Sequence, residues 1–132
     1  MSDWNAGIIE EFRANDGAVG GHFADRPILL LHTTGARSGL ERLNPLTYLE
    51  HQGRVFVFAT KAGSDSSPDW YYNLVANPDV TVEMGTETVS KKAVPLSEPE
   101  RSKIYGIQAA YWATFADYEE KTDRVIPVVE LV

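Results

Sequence analysis

The residues best suited to chemistry lie in Thr33-Thr34-Gly35-Ala36-Arg37-Ser38-Gly39, directly behind the apolar run Ile28-Leu29-Leu30-Leu31. Glycines 35 and 39 let the backbone take positive φ and approach a ligand closely. Successive N–H groups in such a turn can form an anion-binding nest. Arg37 adds a guanidinium whose fork suits phosphate or carboxylate, and Ser38 adds a hydroxyl. The loop is not a P-loop, because the Walker spacing and its Lys-Ser/Thr end are missing. It is not a Rossmann fingerprint, because a strand and not a helix follows. Thr60 to Ser67 repeats the logic: it follows an apolar strand, carries Lys61 and Gly63, and leads into a helix start that favours anions. Capture of one anionic ligand by both loops is one reading; two ordinary surface turns is the other.

Asp69-Trp70-Tyr71-Tyr72-Asn73 opens the helix after the second loop. Trp70 and Asn73 lie three apart and share a face. The aromatic rings offer flat surfaces with polar handles, or simply core. Tyr105, Tyr111, Trp112, Phe115 and Tyr118 make the late region aromatic. They either line a pocket for a planar substrate or cover a barrel, and Tyr118 is a proton donor if buried and well placed. His22, His32 and His51 are isolated and lack metal-ligand spacing, so no metal is expected. The absence of cysteine excludes thiolate catalysis and disulfides. Side chains with no catalytic engine of their own suit a cofactor that brings its chemistry with it.

Local patterning sets the elements that position these residues. Trp4, Ile8, Ile9 and Phe12 mark a helix over 4–14. Strands are predicted at 27–34, 42–50 and 54–60, with a turn at His51-Gln52-Gly53. A helix starts near Pro68 with Ser67 as its cap and ends before Asn77-Pro78. Residues 79–84 and 87–94 read as a hairpin around Gly85. Ser97-Glu98-Pro99-Glu100 fits a capping box for a helix to about Ala113, and a shorter helix follows at 115–121. The last strand spans 126–131, with Pro127 at an edge or a strand start. The expectation is an α+β fold: a small barrel of about six mainly antiparallel strands with three or four outer helices. The first and third strands are expected to be neighbours, which would bring the two loops together.

A chain of 132 residues suits one domain, with residues 1–26 as an N-terminal helix and loop. The net charge of −7 argues against nucleic acid as a partner. Residues 32–64 nevertheless carry +2, leaving −9 elsewhere, so positive charge gathers around the loops. No apolar run approaches the ~20 residues of a membrane span. Met1-Ser2-Asp3 lacks the basic start of a secretory signal, and a cytoplasmic protein is expected. Glu10 and Glu11 make the first helix a poor partner for anionic lipid, so packing on the barrel is favoured over membrane association. A monomer and a homodimer are both compatible with the pattern.

The run Leu31 to Gly39 followed by Arg42-Leu43-Asn44-Pro45-Leu46 resembles the deazaflavin-dependent nitroreductase family. So do Lys61-Ala62-Gly63-Ser64-Asp65, Pro68 to Leu74, Ala76-Asn77-Pro78 and Thr122 to Pro127, and the likeness runs from about Ile8 to Leu131. The resemblance implies a split β-barrel that binds coenzyme F-420, its phosphate and polyglutamate tail in a basic groove and its ring near the barrel wall. It places Arg37 and Ser38 at the tail or phosphate, and Arg42, Asn44, Pro45 and Leu46 along the coenzyme. It places Phe58, Ala59, Thr60 and Lys61 on the third strand and its loop, and Asp69, Trp70, Tyr71 and Asn73 at the helix start. Phe115 and Trp112 stand where a quinone-reducing branch carries tyrosines, and with Tyr118 they are implied to bound the substrate pocket. Tyr118 matches a tyrosine that orients or protonates substrate. The opening segment, Glu10 to Arg13 with Gly20 and Gly21, looks more like a sister branch that reduces activated C=C bonds in enones and lactones. The implied activity is hydride transfer from reduced F-420 to an enone or lactone, a quinone or a nitroaromatic. An FMN-dependent split-barrel oxidoreductase and a non-catalytic coenzyme or hydrophobic-ligand binder are the alternatives.

Overall fold

Short runs rich in β-branched and aromatic residues, punctuated by Gly, Asn and Pro, form the strands. The computed structural model describes residues 3–15, 17, 27–63 and 66–132. Its strands are β1 (Ile28–Thr34), β2 (Glu41–His51), β3 (Arg54–Phe58), β4 (Asp79–Met84), β5 (Glu87–Pro95) and β6 (Val128–Leu131). They close into a barrel in the order β1-β2-β3-β6-β5-β4, and every neighbouring pair is antiparallel. The helices are α1 (Asp3–Ala14), α2 (Asp69–Ala76), α3 (Glu100–Tyr111) and α4 (Ala113–Glu120). The expected α+β barrel with outer helices is therefore observed. No helix of the described residues is long and apolar enough to cross a membrane.

Register sorts the side chains into an inner and an outer set. Leu29 faces Leu46, Leu31 faces Asn44 and Thr33 faces Arg42, so these six share a face. Leu29, Leu31, Val57, Val82, Val129 and Leu131 fill the barrel, and Trp70 and Leu74 of α2 join them. The alternate residues point outward. Ile28 and Leu30 meet Ile9 and Phe12 of α1. Leu49, Phe56, Phe58 and Val128 meet Ile104, Tyr105 and Phe115 of α3 and α4. The predicted apolar face of α1 is thus buried at Ile8, Ile9 and Phe12, while the Trp4 side chain lies outside the described residues.

Six local expectations need correction. β2 lies between β1 and β3, because two short turns link the three strands in chain order, so β1 and β3 are not neighbours. β3 stops at Phe58 rather than at residue 60. Pro127 has no N–H to extend a ladder, so β6 starts at Val128 and Ala59 N–H closes onto the Pro127 carbonyl at 3.0 Å. Ser67 does not cap α2, whose cap position is Pro68 without a side-chain bond; the Ser67 hydroxyl instead accepts from Arg124 at 3.2 Å. Ser97 does not cap α3 either. The Glu98 carboxylate accepts the Ser102 N–H at 2.9 Å, a stronger partner for a helix N-terminus than a hydroxyl. The predicted helix to 113 ends at Tyr111, because extended Trp112 breaks it and lets α4 turn back.

Two ion-pair groups strap the barrel. Arg54 of β3 donates to Glu130 of β6 at 2.9 and 2.7 Å and to Glu100 of α3 at 3.0 Å. Arg13 of α1 donates to Glu83 of β4 at 3.1 and 2.7 Å. Hydrogen bonds from Arg13 to Glu83 and from Arg54 to Glu130 hold both carboxyls below their ordinary value of 4.5. A carboxyl depressed on folding stabilises above its unfolded pKa and loses that contribution as pH falls through the folded one. The melting temperature is therefore expected to hold near neutrality and fall below about pH 4.5. Melts across pH 3 to 7 test this, and Glu130→Gln should lower stability at neutral pH and flatten the acid fall.

Candidate functional site

The glycine loop is held mainly by its own backbone. Gly35 N–H donates to the Leu40 carbonyl at 2.7 Å and Gly39 N–H to the Gly35 carbonyl at 3.0 Å. Leu40 N–H donates to Ser38 Oγ at 3.2 Å. A Cβ on Gly35 would lie 2.5 Å from Ser38 Oγ and 3.2 Å from the Leu40 carbonyl, so a larger residue would have to displace the Ser38 hydroxyl and crowd the turn. Asn73 of α2, 8% exposed, then fastens the loop to the barrel. Its Oδ1 accepts Ala36 N–H at 2.9 Å, and its Nδ2 donates to Thr33 Oγ1 at 3.4 Å. The expected nest therefore narrows. Among the described residues, the N–H groups of Arg37 and Ser38 remain without a protein acceptor.

Beside this loop lies a cleft of about 860 Å³, lined by Gly35 to Ser38, by Glu41 to Asn44 at the start of β2, and by Asp69, Trp70, Tyr72 and Asn73 of α2. Its size is within the ~300–1,000 Å³ typical of small-molecule sites. Arg37 and Arg42 are exposed and make no ion pair or hydrogen bond among the described residues. Glu41 does not neutralise them: its Oε1 lies 2.5 Å from Nδ1 of His32, whose Nε2 lies 2.6 Å from Glu83. Two guanidinium groups, two open amides and the flat rings of Trp70 and Tyr72 suit a ligand with an anionic part and a planar part.

The structure thus brings Arg37, Ser38, Arg42, Asn44, Asp69, Trp70 and Asn73 around one cleft. It adds Tyr72, which sequence reasoning passed over for Tyr71. Helical spacing carries the signal, since Asp69, Tyr72 and Asn73 stand at i, i+3 and i+4, while Tyr71 packs against the barrel core. Pro45, Leu46, Phe58, Ala59, Thr60, Lys61, Tyr71, Trp112, Phe115 and Tyr118 lie outside this lining. Leu46 packs on the inner core, and Pro45 faces outward opposite Leu30. Lys61 Nζ donates to Ser66 Oγ at 3.4 Å. Ser64 and Asp65 of the second loop, and Gly20 and Gly21 of the opening segment, lie outside the described residues.

The late aromatic residues form a separate cluster. Phe58 meets Tyr105 at 5.9 Å and Phe115 at 5.5 Å edge-on, and Phe115 meets Tyr118 at 5.5 Å. Phe115 is 4% exposed, so it serves as core here. Tyr105 donates its hydroxyl to the Phe115 carbonyl at 2.6 Å, and burial pushes its phenol well above the ordinary range. Tyr118 is partly buried, and its hydroxyl makes no hydrogen bond among the described residues.

The comparisons with known proteins agree with this architecture. The family model described as F420H(2)-dependent quinone reductase matches residues 7–132. An F420H(2)-dependent quinone reductase of Mycobacterium tuberculosis is 36% identical over 124 residues, covering 91% of this chain and 83% of that protein. The solved structure of the F420-H2 dependent reductase FDR-A is 38% identical with a TM-score of 0.73, covering 86% of this chain and all of that one. A domain-swapped dimer is 37% identical with a TM-score of 0.75, covering 96% of this chain and 93% of that one. With a match that spans both the glycine loop and the last strand, this chain belongs to the F420H(2)-dependent quinone reductase family.

Proposed function

We propose that this protein is an F-420-dependent reductase of electron-poor small molecules, holding the coenzyme in the cleft between the glycine loop, β2 and α2. The observation that carries the reading is the pair of exposed guanidinium groups, Arg37 and Arg42, without a protein partner beside Trp70 and Tyr72. Arg37, with the open N–H groups of Arg37 and Ser38, would hold the phosphate or the acidic tail. Arg42 and Asn44 would align it along β2, and Trp70 with Tyr72 would wall one side. Reduced deazaflavin, when bound, supplies a hydride to a quinone, an enone or a nitro group. The chain's own task is positioning and exclusion of water. Tyr118 would orient the acceptor and share proton delivery with solvent.

Titration with F-420 and, separately, with FMN, read by fluorescence, tests the reading. Oxidation of reduced F-420 is then followed with menadione and an enone panel. F-420 binding with turnover supports the proposal. Binding without turnover favours a sequestering protein, and binding of FMN alone favours a flavin enzyme. Tyr118→Phe is expected to lower kcat about threefold with an unchanged KM for coenzyme, well short of the ~100-fold of an indispensable general acid. Steady-state kinetics with menadione check this.

A further inference from the structure

Arg124 lies between α4 and β6 and lines no part of the cleft. Its Nη2 donates to the carbonyls of Ala59 at 2.9 Å and Thr60 at 3.0 Å, and its Nη1 to Ser67 Oγ at 3.2 Å. These acceptors stand at the two ends of the second loop, where the chain leaves β3 and where it approaches α2. The barrel closes without this fork: Phe58 pairs with Val128, and Ala59 N–H reaches the Pro127 carbonyl. What Arg124 holds is the turn beyond the ladder.

That turn is held in an uncommon conformation. Lys61 has φ 44, the left-handed region that a non-glycine keeps only where its surroundings fix it. Gly63, at φ 80, donates its N–H to the Thr60 carbonyl at 2.9 Å. A Cβ on Gly63 would lie 3.0 Å from the Lys121 side chain and 3.1 Å from the Tyr118 carbonyl. The turn is clamped between Arg124 on one side and α4 on the other.

We propose that Arg124 is a positioning residue, tying the end of β3 to Ser67 at the approach to α2 so that Trp70, Tyr72 and Asn73 stand correctly at the cleft. This rests on the coenzyme reading given above. Only a planar fork reaches two carbonyls and a hydroxyl at once; an ammonium cannot match that geometry.

The test measures F-420 affinity by fluorescence, KM and kcat with menadione, and melting temperature. Wild type is compared with Arg124→Gln, Arg124→Ala and the milder Ser67→Ala. Arg124→Gln should raise Kd and KM for coenzyme about five- to tenfold, more than kcat falls, as expected for losing bonds from a charged donor. Ser67→Ala should raise them about twofold. Guanidinium chloride at about 20 mM should restore affinity to Arg124→Ala where equal potassium chloride does not, because the free ion has the missing fork. Wild-type affinity in Arg124→Gln overturns the inference and leaves the coenzyme reading intact. A loss of affinity that merely follows melting temperature, without rescue, also overturns it. Failure of wild type to bind F-420 overturns the coenzyme reading and takes the inference with it.

Discussion

Replacing Arg37 and Arg42 together by alanine is expected to weaken F-420 binding about a hundredfold, and each single change about tenfold. Both guanidinium groups reach solvent at the cleft without a carboxylate to satisfy them, while Glu41, the nearest acidic residue in sequence, is bonded to His32. Their removal therefore breaks no ion pair inside the protein, and the melting temperature should stay close to that of wild type. Turnover at saturating coenzyme should fall far less than affinity, because these groups hold the anionic part of the ligand and not the reacting carbon. Arg37→Lys should recover only part of the loss, since an ammonium lacks the bidentate fork. Fluorescence titration at constant ionic strength gives the affinities. Raised salt should erode the wild-type advantage, because an exposed site is screened. Unchanged affinity in the double variant would remove the cleft from consideration as the coenzyme site.

Asn73→Ala is the second large effect, and it acts on both fold and function. The amide stands at 8% exposure and joins α2 to the loop through Ala36 N–H and to β1 through Thr33 Oγ1. Truncation leaves the Ala36 donor without its acceptor and removes the only side-chain bridge from α2 to that loop among the described residues. Stability should fall by about 2 kcal/mol, the usual size of a buried donor left unpaired. Coenzyme affinity should fall about tenfold as well, because the loop that presents Arg37 and Ser38 loses its anchor. Urea melts and coenzyme titration on one sample separate the two effects. Asn73→Asp keeps the Oδ1 acceptor and should retain most of the stability.

The barrel was legible because its strands carry their own signals. β3 is a run of β-branched and aromatic residues, and the β4–β5 hairpin alternates around Gly85. What escaped sequence reasoning is decided by partners distant in the chain. Ser67 looked like a helix cap until Arg124, 57 residues away, claimed its hydroxyl. His32 looked isolated, yet it bridges Glu41 and Glu83 across three strands. Arg124 itself stands within a quoted motif, but no local pattern says that its guanidinium will find backbone carbonyls. The cleft was half visible: the glycine loop and Trp70 are sequence features, while the inclusion of Tyr72 follows from the phase of a helix whose start had to be known. The aromatic cluster shows a further case: composition allowed either a substrate pocket or a cover for the barrel, and the packing buries Phe115.

The order of the strands has a consequence for how the chain folds. β6, the last strand in the sequence and only four residues long, sits between β3 and β5. Until it arrives, β3 and β5 are two unpaired edges facing each other, each able to recruit a foreign strand. Val55 must find Leu131 and Phe56 must find Glu130, contacts across more than half of the chain, so loop-closure entropy delays the step that completes the barrel. During synthesis β6 emerges after both of its partners. Pairing of β6 with both edges is thus the step that turns an open, adhesive sheet into a closed ring.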